Sequence, residues 1–270
     1  MTETESSQAS SIWVLPEGRI SEILSLTSPR DACRAATISK TFNLAADSDA
    51  VWERFLPPDY RDVIATAVSP VVFESKKQLY HQLSASYILL DRGNLGFKLD
   101  KESGRKCYLV GARDLSIIWG NDTRYWVWAN VPESRFEEVA ILRAVWWLDI
   151  YGKLSSVMLS PNTTYAAYLV FRIRNSSRLS VPAKTILDFG GIRTETINVF
   201  LQRPELWMGA PAPAPAPAPA MRNDGWMDIK LGEFYYHDGD EGEVGMMFQE
   251  PDNYGCKHGL IVEGIEIRPK

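Results

Sequence analysis

Apolar positions along this chain change their period, and the change divides it in two. Over residues 12 to 56 they recur at helical spacing. Ile20, Ile23 and Leu24 share one helical face, after a Pro16-Glu17 pair suited to a first turn. Ser28-Pro29-Arg30-Asp31 marks a second start, with Ser28 as cap, Pro29 in the first helical position and Asp31 three residues after the cap. Cys33, Ala36, Ile38 and Phe42 continue that helix with a narrow face of small residues. Asp47 or Ser48 caps a third segment carrying Val51, Trp52 and Phe55, and Pro57-Pro58 stops it. Residues 57 to 95 read as a helical connector, in which Ser75 caps a helix with Leu79, Tyr80 and Leu83 on one side.

From Phe97 the period is two. Phe97 and Leu99 lead into a turn at Asp100–Gly104, and Cys107–Val110 returns. Ala112–Tyr151 holds five of the nine tryptophans. Leu115, Ile117 and Trp119 share one parity, as do Trp126 and Trp128, and Gly120-Asn121-Asp122-Thr123 between them is a turn sequence. Further strands recur near 145–154, 164–174, 184–189, 195–201, 225–234, 243–249 and 259–268. Residues 137–142 fit either an edge strand or a helical turn. Ala210–Ala220 alternates alanine with proline, which removes backbone donors and predicts an extended, semi-rigid surface loop. The pattern predicts a multidomain α plus all-β chain. A polar tail (1–11), a helical domain (12–56) and the connector (57–95) precede an antiparallel sandwich or jelly roll over 96–270.

Composition narrows the chemistry. Apolar residues make up 45% and aromatics 11%, which describes a globular protein. A net charge of −5 gives no electrostatic case for nucleic acid or an anionic membrane. Cys33, Cys107 and Cys256 are too few for a disulfide framework and fit a reducing compartment. The acidic N-terminus resembles no targeting peptide and no apolar run has the length of a membrane span, so a cytoplasmic or nuclear protein is expected. The histidines are scattered, and no Cys/His cluster suggests a metal, a cofactor or a catalytic thiol. Trp119 and Trp126, beside a polar turn, form either a sugar-stacking platform or part of the core. Glu243 and Glu250 are either acceptors or solvated strand ends. A glycosidase would need two carboxyls about 5–10 Å apart.

Two resemblances sharpen this. Val14-Leu15-Pro16-Glu17, Ile20, Ile23-Leu24, Ser28-Pro29-Arg30-Asp31, Ala35-Ala36, Ser39-Lys40-Thr41-Phe42 and Val51-Trp52 together resemble an F-box. The resemblance implies docking onto a Skp-type adaptor and so onto a cullin-based ubiquitin ligase. It places Leu15, Pro16, Ile20, Ile23, Leu24 and Pro29 on or beneath the adaptor-facing surface. Gly18-Arg19 departs from the family, where a better helix former is usual; glycine there costs about 0.5–1 kcal/mol relative to alanine.

The β part is similar to the Nictaba lectins, or phloem protein two family. The motifs are Ala112-Arg113-Asp114-Leu115-Ser116-Ile117 with Trp119, Tyr125-Trp126-Val127-Trp128, Trp147-Leu148-Asp149-Ile150-Tyr151-Gly152-Lys153, Asp224-Gly225-Trp226, and Gly264-Ile265-Glu266-Ile267-Arg268-Pro269. The resemblance implies a jelly-roll sandwich binding N-acetylglucosamine oligomers or N-glycan cores. Trp119 and Trp126 fall on its sugar-binding tryptophans, with Glu243 and Glu250 as acceptors, and Trp146 and Trp147 are left to the core. A basic run that some members carry before Asp-Gly-Trp is replaced here by the Ala-Pro repeat. The expected function is a non-catalytic substrate receptor of a ubiquitin ligase that recognises glycoproteins. The alternatives are a receptor whose β domain binds unglycosylated protein and, last, a glycosidase.

Overall fold

A computed structural model describes residues 15–202, 217–250 and 255–270. The N-terminal tail and most of the Ala-Pro repeat lie outside the described residues. Six helices come first: α1 (Glu17–Ser25), α2 (Pro29–Ala35), α3 (Lys40–Asp47), α4 (Asp49–Phe55), α5 (Tyr60–Ala65) and α6 (Lys76–Ala85). Ser28 and Ser75 accept hydrogen bonds from the amides of Asp31 and Gln78, the caps expected from the sequence. The expected second helix is in fact two. Ser39 accepts from the Phe42 amide and starts α3 afresh, because a serine side chain offers a cap where the small-residue run has ended. Gly18 lies in the exposed first turn of α1 with nothing near its missing side chain.

Inside the helical unit, Ile20, Leu24, Phe42, Val51, Trp52, Leu79, Tyr80 and Leu83 are buried together. Trp52 is the hub. Its ring meets Phe55 edge-on at 5.6 Å and Tyr80 at 5.2 Å, and its indole N–H donates to the Ala46 carbonyl at 2.6 Å.

Fourteen strands follow: β1 (Ile88–Leu90), β2 (Leu95–Leu99), β3 (Lys106–Gly111), β4 (Ser116–Ile117), β5 (Trp126–Ala129), β6 (Val139–Leu142), β7 (Leu148–Ser155), β8 (Thr163–Ile173), β9 (Ala183–Phe189), β10 (Ile192–Val199), β11 (Ala220–Met221), β12 (Met227–Tyr236), β13 (Glu243–Glu250) and β14 (Leu260–Pro269). The sheet thus begins inside the stretch read as connector, and residues 139–142 resolve as strand. All pairings between these strands are antiparallel. One sheet runs β1-β2-β3-β14-β8-β12-β11, with β6 on β14 and β5 on β6; the other runs β10-β9-β13-β7-β4. The chain passes repeatedly from one sheet to the other, and buried residues of both belong to one cluster, the core of a β-sandwich.

The helices and the sandwich share one continuous core. The β2–β3 turn presses on the helical unit: the Tyr80 hydroxyl donates to the Asp100 and Lys101 carbonyls, and buried Lys106 pairs with Asp59 at 2.8 Å. Gly104 sits there at φ +69°, and a side chain would put Cβ 2.7 Å from the Phe55 carbonyl oxygen, so only glycine fits.

The two sheets differ on their outer faces. The larger sheet is covered. Leu109, Phe136, Val139, Ile141, Val170 and Trp226 form a second small core on it. Beside that core Glu266, fully buried, is held by Arg222, Arg268, Lys98 and the Tyr87 hydroxyl. Burial works to raise this carboxyl's pKa, but the Arg222 hydrogen bond and the surrounding cations outweigh it and bring it from 4.5 to about 2. The smaller sheet leaves its outer face to solvent: Lys153, Asp188 and Glu243 are exposed on it.

A carboxyl whose pKa is depressed on folding stabilises the fold above its unfolded value and stops doing so as pH falls through its folded value. Glu266 is therefore expected to contribute on the order of 3 kcal/mol at neutral pH, most of it lost between pH 4.5 and pH 3. Urea unfolding at pH 6 and pH 3 checks this. The stability advantage of the native chain over Glu266→Gln should shrink by more than half at pH 3, and an undiminished advantage would contradict the assignment.

Candidate functional site: an aromatic platform at the edge of the smaller sheet

The Trp119 region begins where β4 leaves the smaller sheet. The Ile118 amide still donates to the Asp149 carbonyl of β7, at 3.0 Å. The chain then crosses to β5 in the larger sheet through a tight series of turns. The Gly120 amide donates to Ile117, the Asp122 amide to Trp119, and the Tyr125 and Trp126 amides both to Asp122. Trp119 takes φ +54°, in the left-handed region. For a bulky residue this costs roughly 1–2 kcal/mol and persists only where the surroundings impose it.

Two indoles impose it. Trp126 donates its N–H to the Ile118 carbonyl at 3.0 Å, and Trp128 donates to the Gly120 carbonyl at 2.8 Å. The carbonyls on either side of Trp119 are thus both held from β5. Arg113 lies 3.9 Å over the Trp128 ring, and its guanidinium meets the Glu138 carboxylate at 2.6 Å.

The Trp119 ring is consequently thrust outward, with 41% of the residue exposed. Tyr125 lies against it at 5.2 Å and 37°, and Trp147 meets it edge-on at 6.1 Å and 74°. Trp146 and Trp147 are 53% and 44% exposed. Large apolar rings left in water on neighbouring segments make this a candidate binding surface. Polar groups border it. Arg124 grips Asp122 through two of its nitrogens at 2.6–3.0 Å, and these hydrogen bonds hold the Asp122 carboxyl below its usual pKa. Two residues after Trp147, on β7, burial pushes the Asp149 carboxyl up, although Gln249 donates to it at 3.1 Å.

This geometry redraws the expected site. Of the two placements open for Trp119, the structure has the surface one. Trp126 is 1% exposed and belongs to the core, because the chain changes sheets after Trp119 and brings Trp126 inward. Glu250 is also buried, since it shares its parity on β13 with the inward-facing Val244, Met246 and Phe248. Its carboxylate meets Lys257 at 2.6 Å, and the Lys257 ammonium also donates to the Trp146 carbonyl. Glu250 therefore anchors the segment that presents the outer tryptophans. Glu243 is exposed and paired with Lys153 at 2.8 Å. It faces Ser155 at the far end of the β7–β13 ladder, roughly 20 Å from the Asp149 row by the rise of a strand. Trp146 and Trp147, assigned to the core from sequence, are the opposite. Both stand in a bend before β7; Trp147 has the parity of the outward Asp149, Tyr151 and Lys153, whereas Trp146 has that of the buried Leu148 and Ile150 and is exposed all the same.

The helical positions divide in the same way. Ile20, Leu24 and Pro29 are buried, Leu15 is half-buried, and Pro16 and Ile23 are exposed. Leu26, Ile38 and Leu44 are also exposed, at 69%, 51% and 48%, and the sequence reading did not single them out for docking.

Comparison with known proteins agrees with both halves. A family model described as Phloem protein 2 matches residues 105–269. The chain belongs to the phloem protein 2 family. An F-box-like model matches residues 12–57, so this is an F-box protein with a phloem protein 2 domain. Among its relatives, the putative F-box protein PP2-B12 of Arabidopsis thaliana is 41% identical over 260 residues, covering 95% of this chain and 97% of the relative. F-box protein PP2-B10 from the same plant is 41% identical over 280 residues, covering 97% and 96%. In this family frame, the helices and the sandwich described above are the F-box and phloem protein 2 portions of one molecule.

Trp126→Ala should cost about 3–5 kcal/mol of stability, as deletion of a buried indole does. Trp119→Gly should leave stability within about 1 kcal/mol of the native chain or raise it, because glycine accepts the left-handed backbone without strain. Thermal melts of the two variants decide the assignment. A large loss in Trp119→Gly, or a small one in Trp126→Ala, would reverse it.

Proposed function

We propose that this F-box protein is the substrate-recognition subunit of a Skp–cullin–F-box ubiquitin ligase and that its phloem protein 2 domain recognises N-acetylglucosamine-containing glycans on target proteins. The observation that carries the glycan half is the strained, outward Trp119 with Tyr125 and Trp147 around it. Sugars present C–H faces that stack on such rings, each stack worth about 0.5–1.5 kcal/mol beyond area burial. The bordering Asp122, Arg124 and Asp149 supply the polar groups that orient a hydroxylated ligand. The adaptor half rests on the F-box match and on the exposed Pro16, Ile23 and Leu26, apolar groups of the kind that amphipathic helices bury in a partner's groove. The receptor role is one of binding: it delivers a target and asks no chemistry of these residues. Action in the cytoplasm or nucleus belongs to the same proposal.

The two halves are separable by mutation because their residues lie on different elements. Pro16→Ser with Ile23→Asp should abolish co-purification with a Skp-type adaptor and leave glycan affinity unchanged. Trp119→Ala should do the reverse, weakening an N-acetylglucosamine oligomer by at least about tenfold, or about 1.4 kcal/mol. Adaptor capture that survives the first pair contradicts the docking surface. Capture of the same target with and without its glycans would favour recognition of unglycosylated protein.

A further inference from the structure

The outer face of the smaller sheet continues away from the tryptophans. Along β7 the residues Asp149, Tyr151 and Lys153 point the same way, and they are paired row by row with Gln249, Met247 and Gly245 of β13; Trp147 stands just before the strand. β9 adds Lys184, Ile186 and Asp188 to these rows, and β10 adds Glu195 and Arg193. In the middle of this face is a depression of about 220 Å³.

Gly245 makes it. A Cβ at that position would lie 3.2 Å from the Tyr151 hydroxyl and 3.6 Å from the Asp188 Cβ, so any larger residue would start to fill the space. The half-buried Tyr151 ring borders the gap, with Met247 and Ile186 as its apolar neighbours. Its rim is charged. Asp188 and Arg193 face each other across the β9–β10 ladder, yet neither makes an ion pair or side-chain hydrogen bond among the described residues. Glu243, engaged by Lys153, completes the rim. An aromatic ring, an apolar floor and unengaged donors and acceptors are complementary to a sugar, which has C–H faces and a belt of hydroxyls.

We infer that the Gly245 depression is a second carbohydrate subsite, with Tyr151 as its stacking ring and Asp188 and Arg193 as its hydrogen-bonding groups. The inference rests on the platform reading above and extends it. Trp147, just before β7, and Tyr151 within it are four residues apart, up to about 13 Å of extended chain. A single sugar ring cannot touch both, so the ligand that uses both is an extended oligosaccharide lying along β7. The covering of the larger sheet is consistent with this division, since the smaller sheet's face is the one left open.

Calorimetric titration of the full chain with N-acetylglucosamine and with its trimer tests the subsite. The trimer is expected to bind at least tenfold more tightly than the monosaccharide. Tyr151→Ala and Arg193→Ala should each remove most of that advantage while leaving the monosaccharide's affinity unchanged. Tyr151→Phe, which keeps the ring and checks that the sheet folds, should retain it. Trimer binding that is lost in Trp119→Ala but unchanged in Tyr151→Ala and Arg193→Ala would overturn the second subsite and leave the platform standing. A chain that binds neither sugar, with a native melting transition, would overturn both.

Discussion

Trp126 and Trp128 hold the carbonyls of Ile118 and Gly120, and this pair of hydrogen bonds fixes the conformation of the residue between them. Left to itself, Trp119 would avoid positive φ and its ring would seek the interior. Held at both flanking carbonyls, the backbone is turned so that the ring projects into solvent beside Tyr125 and Trp147. The energy for this comes from burying Trp126, whose contribution of several kcal/mol exceeds the roughly 1–2 kcal/mol of left-handed strain. A buried tryptophan is in this way the support of an exposed one. The Glu250–Lys257 pair supports the other side of the platform, where Lys257 secures the Trp146 carbonyl. A rigid frame of this kind lowers the ordering cost of binding, which is what a shallow site with few contacts needs.

The rest of the architecture leaves this edge free. The larger sheet is covered on its outer side by the Trp226 cluster and the Glu266 charge network, and its near end is fused to the helices through Tyr80, Gly104 and Lys106. Because the helical unit and the sandwich share one core, a target held on the sandwich as proposed would stand at a set position relative to the F-box helices. For a receptor that must present a target to a ligase, such a junction is more useful than a flexible tether.

Much of this was legible in the sequence. Ser28, Pro29 and Ser75 announced helix starts through capping chemistry that depends only on neighbours a few residues away. Period-two runs announced most strands for the same local reason. Two of the failures, Trp126 and Glu250, come from the dependence of a side chain on what lies across from it. Parity identified Trp126 and Trp128 as one face but not which sheet would receive them, and the change of sheet after Trp119 decides that. Glu250 was expected as an acceptor from the resemblance, and its pairing with Lys257, seven residues on, is not legible in local spacing. Trp147 could have been found: its parity with Asp149 and Lys153 marked the outward side, but a mid-strand position between apolar neighbours suggested the core, and β7 in fact starts only at Leu148. The split of one expected helix at Ser39 was also visible as a cap residue, had it been weighed against the helical spacing around it.

The central claim is that the exposed indoles meet the ligand while the buried ones hold them. Nitrogen–proton correlation spectra of the indole groups, recorded while an N-acetylglucosamine oligomer is added, read both sets in one experiment. Trp52 and Trp226, whose indole N–H groups are bonded to the Ala46 and Glu133 carbonyls far from the platform, should stay in place. Trp119 and Trp147 should shift progressively and saturate together, and Trp126 should move little. Shifts confined to Trp126 or Trp226, or no shift in Trp119 at saturating sugar, would contradict the account.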